Sequence, residues 1–317
     1  MANDDCLAKG FKIENPATKA MIRTMALKSP TVMVGYILGY WLTIGGTAVA
    51  VEDAAHFLHP VIAATIYLPA VIWIARSMRA LECTIHEFAH YALSKNLLLN
   101  DAIGSGLIAL PLATTIEVFR ASHNDPHHVY LSVVGVDPDL RRYDDLDAHN
   151  LDRSSWQGFA REVAARLPRY VIGWSRLTTG SWTLVLTLLW HAVVLWLPFY
   201  AFYGEISIAL SKWALYWVIP QLVVLPVIRF IGETGKHDYS GGTSVAAVTI
   251  SNIGPVHKLL IHPFGDGHHT LHHLFANVPG YRLGKLHRWL MANEPGYRKS
   301  LRYRLRVLEQ PRSGLEA

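Results

Sequence analysis

The chain has 317 residues, 51% of them hydrophobic, a formal net charge of +5, and seventeen histidines against two cysteines. Its apolar residues fall in long blocks between charged stretches, a pattern that excludes an ordinary soluble domain and points to a membrane protein. No compact basic stripe argues for nucleic acid, and Cys6 and Cys83, far apart and outside any CxxC, exclude a disulfide framework or a thiolate metal site.

Residues 1–30 are polar and mixed in charge and lack the pattern of a cleaved leader, so they are expected to form a cytosolic N-terminal segment. The first span is predicted over 31–51 and the second over 60–75. A bilayer takes about 20 apolar residues, so the second must continue past Arg76 toward Cys83, with its arginines snorkelling. That continuation carries the first histidine cluster, His86-Glu87-Phe88-Ala89-His90, whose imidazoles at i and i+4 share a helix face. Residues 103–118, interrupted by Gly104, Gly106 and Pro111, read as an interfacial or re-entrant piece. The second cluster follows, His123-Asn124-Asp125-Pro126-His127-His128. Asp125 as N-cap and Pro126 at the first helical position predict a turn or helix start there.

The third and fourth spans are predicted over 182–202 and 206–231. Trp41, Trp73, Trp182, Trp213 and Trp217 are expected near span ends. Glu233 and His237, at i and i+4, come just after the fourth span, and 244–260 reads as a second interfacial piece. The third cluster is His268-His269-Thr270-Leu271-His272-His273; on a helix His269, His272 and His273 share a face and His268 lies off it. The scattered histidines His56, His59, His149, His191, His257, His262 and His287 are read as ordinary surface residues, except that His191, mid-span, can hydrogen-bond inside the bundle.

The two expected outer loops, 52–59 and 203–206, contain no Lys or Arg, and Lys212 is the one basic residue between the cores of the third and fourth spans. Positive-inside reasoning therefore puts both termini, the long middle region and all three clusters on the cytosolic face. Eight clustered imidazoles with His237 exceed what one metal can use and suit two. Ligands rich in nitrogen, with few carboxylates, leave iron and zinc open. The string HExxH at 86–90 also resembles a zinc metalloprotease motif with Glu87 as base. Such a site needs one further ligand and leaves the other clusters unexplained. Oxidising an unactivated C–H bond requires a redox metal and dioxygen, and a site at the edge of an apolar bundle suits a lipid-like chain.

The clusters resemble, in order, the HxxxH, HxxxHH and HxxHH boxes of the membrane fatty acid desaturase and hydroxylase superfamily. Residues 272–287, running His-His-Leu-Phe-Ala-Asn-Val-Pro-Gly-Tyr-Arg-Leu and on to Lys285-Leu286-His287, are similar to the stretch around the last box. Asp137-Pro138-Asp139 after the second box is also similar to the family. The resemblance implies an all-α integral membrane fold, four transmembrane helices under a cytosolic helical cap that carries a di-metal site. It implies one domain over 1–317, with the catalytic core at 31–290 and a cytosolic tail at 291–317.

By position the implied iron ligands are His86, His90, His123, His127, His128, His269, His272 and His273, with His237 completing the set. Glu233 stands where acyl-CoA desaturases carry an Asn that holds a water near one metal. A carboxylate there is a candidate catalytic group that ligates iron, or holds a water or a ligand histidine. The implied chemistry uses two irons, dioxygen and electrons from a separate ferredoxin, rubredoxin or cytochrome b5 type protein. The substrate implied is an acyl or lipid-like chain, converted to an alkene, or alternatively hydroxylated or decarboxylated. The donor is expected to dock on Arg141, Arg142, Arg298, Lys299, Arg302, Arg304 and Arg306, unless these residues face anionic lipid instead. A non-catalytic haem or metal carrier is the remote alternative. It would place histidines facing one another across spans or at mid-membrane, and these clusters do neither.

Overall fold

The computed structural model describes residues 9–94, 96–178 and 180–314, so Cys6 lies outside the described residues. A short helix α1 (Pro16–Met25) precedes α2 (Pro30–Phe57) and α3 (Pro60–Ala89). Each starts with proline in its first turn, where the missing N–H costs nothing and the fixed φ suits the helix. A bent pair follows, α4 (Leu97–Leu112) and α5 (Ile116–Val129), turned 88° at its break, where Ala113 takes a left-handed φ of 64°. Then come α6 (Pro138–Leu146), α7 (Trp156–Thr178), α8 (Trp182–Tyr203) and α9 (Ile206–Glu233). The C-terminal part holds α10 (Val245–Val248), α11 (His269–Leu274), α12 (Gly280–Asn293) and α13 (Pro295–Ser300).

Helices α2, α3, α8 and α9 are long and apolar enough to cross a membrane. Their outward faces carry exposed Leu42, Leu68, Leu189 and Leu222, side chains suited to lipid rather than water. At about 1.5 Å per residue, the 30 residues of α3 are longer than a hydrocarbon layer of about 30 Å. The second span thus extends as one helix to the first histidine cluster, well past 60–75. Trp41 and Trp217 do not mark span ends: their rings stack at 5.3 Å and 7° between α2 and α9, and Trp41 donates to the Leu107 carbonyl at 2.9 Å. At one end of the bundle Glu52 accepts from Lys212 at 2.6 Å and from Tyr203 at 3.2 Å.

Two expectations need correction. The fold is not purely helical: β1 (Ser251–Asn252) pairs in parallel with β2 (Arg302–Arg304), which pairs antiparallel with β3 (Arg312–Ser313). Strands of two or three residues leave no alternating pattern to read. Residues 244–260 accordingly form α10, β1 and a π-helical turn at His257–Ile261 rather than an interfacial helix. Through β2, Arg302 on Asp238 at 2.6 Å and Arg304 on the Gly235 carbonyl at 2.7 Å, residues beyond 291 are built into the layer that carries the histidines. The N-terminal segment joins it too, with the Glu294 carboxylate accepting from the backbone of Glu14 and Asn15 at 3.0 and 3.2 Å.

Candidate metal centre

The first cluster sits at the C-terminal end of α3, where the last carbonyls lack helical partners. Arg120 of α5 donates to the Ala89 and Phe88 carbonyls at 3.1 and 3.2 Å, and Asn124 donates to Ala89 at 3.0 Å. Asp101 of α4 in turn holds Arg120 at 2.9 Å. The cap of one histidine helix is therefore supplied by the helix that bears the second cluster. Glu87 belongs to neither histidine group: its Oε2 accepts from the Gly280 N–H, at the start of α12, at 3.0 Å, and its Oε1 lies 3.8 Å from His86 Nδ1. The gathering of His86 and His90 with His123, His128 and His272 in one group exceeds the three protein ligands that the zinc-protease reading of HExxH requires.

The second cluster does not begin a helix at Pro126. His123 ends the α-helical part of α5, and His127 and His128 lie in the π-helical turn, Asn124–Val129, that completes it. Pro126 has no N–H for the α-helical ladder, and a widened turn accommodates that loss; the side chain of Asp125 lies outside the described part. The third cluster rides on α11, which is pinned by Thr270 Oγ1 against Thr249 Oγ1 at 3.0 Å and Ser251 Oγ at 3.1 Å. His237 is not on the helix of Glu233: α9 ends at Glu233. The Tyr143 hydroxyl splices the break, donating to the Glu233 carbonyl at 2.5 Å and accepting from the His237 N–H at 3.1 Å.

These elements gather nine histidines into two adjoining groups, each with ligating atoms within 4.8 Å of one another. Group one is His86, His90, His123, His128 and His272; group two is His127, His237, His269 and His273. Neither contains Glu233. The groups do not follow the clusters, for the second and third clusters each divide between them. Two imidazole nitrogens bound to one ion at right angles stand about 3.0 Å apart when each bond is about 2.1 Å. The Nε2 atoms of His272 and His128 are 2.8 Å apart, His128 and His123 3.0 Å, His269 and His237 2.8 Å, and His273 and His269 3.1 Å. His90 Nε2 and His127 Nε2 are buried without a hydrogen-bond partner among the described residues. Nitrogen atoms so placed fit metal ligands.

Burial first, then the neighbouring imidazoles, hold His123, His128, His269, His272 and His273 well below the usual histidine range, and His237 likewise beside His127. They stand neutral, as metal coordination requires. Burial also brings His90 to about 4, with Arg120 adding to it. His127 goes the other way: burial lowers it, but Asp139 and Asp137 outweigh burial and raise it. Asp137 Oδ1 lies 2.9 Å from His127 Nδ1, which leaves Nε2 as the free nitrogen and orients the ring.

Around the groups lies a cavity lined by both histidines and charges, Glu233 among them. Glu233 Oε2 accepts from Arg142 at 2.8 Å and from Tyr170 at 2.7 Å. Sequence reasoning missed Arg142 and Tyr170 as its partners. Arg142 and Arg304, expected on the docking surface, are not part of it: Arg142 is largely enclosed and Arg304 is buried. Arg141, Lys299 and Arg306 remain exposed. Of the scattered histidines, His56, His59 and His149 are exposed as expected, and His191 is buried, 2.9 Å from the Pro111 carbonyl. His257 and His262 are buried instead of exposed, because the irregular segment that holds them packs beneath α9 and α3. His268 joins neither group; its buried ring lies against His287, 4.9 Å between centroids.

Among the described residues, four membrane-length helices with two histidine groups beside one end of the bundle fit a membrane protein that can hold two metal ions. The chain matches the fatty acid desaturase family over residues 60–305, and it belongs to that family. It is also similar to the dihydrorhizobitoxine desaturase of Bradyrhizobium elkanii, 24% identical over 276 residues that cover 79% of this chain and 72% of that protein. Family and relative make the chain an oxidoreductase. The two histidine groups fit the di-iron centre of such enzymes.

Proposed function

We propose that this protein is a dioxygen-dependent di-iron desaturase that removes two hydrogens from adjacent carbons of an aliphatic chain. The observation that carries this reading is the pair of adjoining all-imidazole groups in a member of the fatty acid desaturase family. His86, His90, His123, His128 and His272 would hold one iron, and His127, His237, His269 and His273 the other. When bound, the irons supply the redox chemistry that no side chain can. Dioxygen takes four electrons and four protons to give two waters: two of each come from the C–H bonds, the rest from an external donor protein and solvent. The relative is named a desaturase, which favours an alkene over an alcohol as product.

The chain's own residues position and enclose. Asp137 orients His127, and Tyr143 sets the backbone of His237. Glu233, its Oε2 already engaged by Arg142 and Tyr170, has Oε1 left to hold a water or accept a proton beside the centre. The basic residues concentrate in segments flanking the histidines, so the centre and both termini are assigned to the cytosolic face, where a soluble donor has access.

The test is metal analysis with turnover. Detergent-purified protein made with ample iron should hold about two irons per chain. With reductant and oxygen it should yield products two hydrogens lighter than their substrates. Zinc in place of iron in such protein would overturn the assignment.

A further inference from the structure

A second cleft lies among α2, α12 and the segment 252–268, with a volume of about 530 Å³. None of the nine grouped histidines lines it. From α12 it takes one helix face, on which Gly280, Tyr281, Gly284, His287 and Arg288 recur at helical spacing. Lys258, Pro263 and Phe264 line it from the irregular segment, and Tyr36 from α2. Backbone packed on backbone joins these walls: at Gly265, whose φ is +93°, a Cβ would fall 2.4 Å from the Gly280 carbonyl oxygen.

The lining is amphipathic. Tyr36 stacks on Tyr281, centroids 5.6 Å apart at 28°, and meets Phe264 edge-on at 5.3 Å. The charge comes from Lys258 and Arg288, both exposed, whose side chains have no ion pair or hydrogen bond among the described residues. No carboxylate lines the cleft. The two cations act on one ring: burial brings His287 to about 4, with Lys258 and Arg288 adding to it. Other arginines of the polar layer are matched, since Arg79, Arg120, Arg229 and Arg302 each meet a carboxylate. The depth is that of a membrane surface. At about 1.5 Å per residue α2 is about 42 Å long, the thickness of a bilayer with its headgroups, about 40–45 Å. Tyr36 lies about 9 Å from the start of α2, near the boundary between headgroups and hydrocarbon. Beside Lys258 stand exposed Val256 and Leu259, and Arg76 of α3 ties this turn to the bundle by donating to the Leu259 carbonyl at 2.8 Å. A basic turn with apolar neighbours and an aromatic flank is the make-up of an interfacial segment.

We propose that this cleft binds the headgroup of an anionic membrane phospholipid, its phosphate held by Lys258 and Arg288 and its glycerol backbone laid against Tyr36 and Tyr281. The planar fork of arginine and the point charge of lysine both suit phosphate oxygens. Val256 and Leu259 then face the bilayer into which the acyl chains run. A lipid so placed fastens α12, which follows the third histidine cluster, to the first span. The site is separate from the histidine groups and independent of the reaction they carry out.

Native mass spectrometry of iron-loaded full-length protein in a neutral detergent tests this. Delipidated protein is offered equal amounts of dioleoyl phosphatidylglycerol, dioleoyl phosphatidylcholine and dioleoylglycerol. The phosphatidylglycerol adduct should exceed each of the others by about tenfold or more, as two cations near an anionic surface imply. Lys258→Met and Arg288→Met should each weaken that adduct about fivefold, the weight of one such cation, with the iron count unchanged. Lys285→Met, which removes an exposed cation of α12 outside the cleft, should leave it as it was. Equal retention of the three lipids, or an equal loss on Lys285→Met, overturns the site and leaves only diffuse surface charge. Displacement of the lipid by an equal concentration of inorganic phosphate or coenzyme A overturns the lipid assignment in favour of a soluble phosphate. The lipid panel and these competitors on unaltered protein decide the matter if a variant does not fold.

Discussion

Asp137 shows how much one carboxylate organises. Its Oδ1 accepts from the Asp139 N–H at the start of α6 and lies against His127 Nδ1, both at 2.9 Å, while Oδ2 accepts from the Ser132 N–H at 2.9 Å. It is at once a helix cap and the partner that orients a ligand ring. Asp137→Asn keeps an accepting oxygen for the cap but removes the charge. The expected outcome is a fall of about tenfold to a hundredfold in metal affinity at group two, with group one unaffected. A chelator titration followed by iron analysis reads this as one of two release steps moving; a shift of both steps would show a general loss of fold instead. Glu233 is the other informative residue, because it lines the cavity yet belongs to neither group. Glu233→Gln should leave about two irons bound and slow turnover, and loss of one iron would instead make Glu233 a ligand. Nothing local in the sequence announces that Arg142 and Tyr170 hold it, since they lie 91 and 63 residues away.

The elements converge on the site by close approach, and α4 is the tightest case. A Cβ at Gly104 would fall 2.5 Å from a Phe88 ring carbon and 2.8 Å from Ile116 Cγ1, so glycine lets α4 pack against both α3 and α5. Gly104→Val should cost about 1–3 kcal/mol through overpacking and weaken group one, four of whose five histidines those two helices position. Thermal midpoint and iron retention measured together check this, and unchanged values for both would refute it. The C-terminal segment is the second case. Ending the chain after Ser300 removes Arg302 and Arg304, which hold Asp238 and the Gly235 carbonyl on either side of His237. Group two should then lose its metal while the span helices persist, visible as retained helical circular dichroism with about one iron. The spans and the nine histidines were legible because apolar length and His spacing are local signals. The division of the second cluster between groups was not, because it depends on a π-helical turn that Pro126 imposes. Nor was the role of β2, which arises from pairing 251–252 with 302–304.

At the scale of the molecule, nine imidazoles are enclosed where a span bundle meets a polar layer, and the two regions differ in what sustains them. The bundle is held by apolar contacts such as Ile37, Ile74 and Met78, all fully buried, and by the surrounding lipid. The polar layer encloses neutral histidines whose folded-state pKa values lie well below the ordinary value, chiefly through burial. The sign of the consequence follows from proton counts. An unfolded histidine titrates near about 6.5, so as pH falls below that value the unfolded chain takes up protons which the folded, metal-free chain refuses. Stability rises with pH wherever the unfolded state binds more protons. The metal-free protein should therefore lose stability progressively as pH drops from about 6.5 toward about 4, each such group contributing up to about 1.4 kcal/mol per pH unit. Bound metal selects the same neutral rings and adds its own binding energy to the folded state, so the iron-loaded protein should stay stable to lower pH. Thermal unfolding of chelator-stripped and iron-loaded protein across this range measures both curves. Parallel curves would mean that the metal does not bind these imidazoles, whereas curves that diverge below about pH 6.5 locate the metal's contribution in the histidine layer rather than in the bundle.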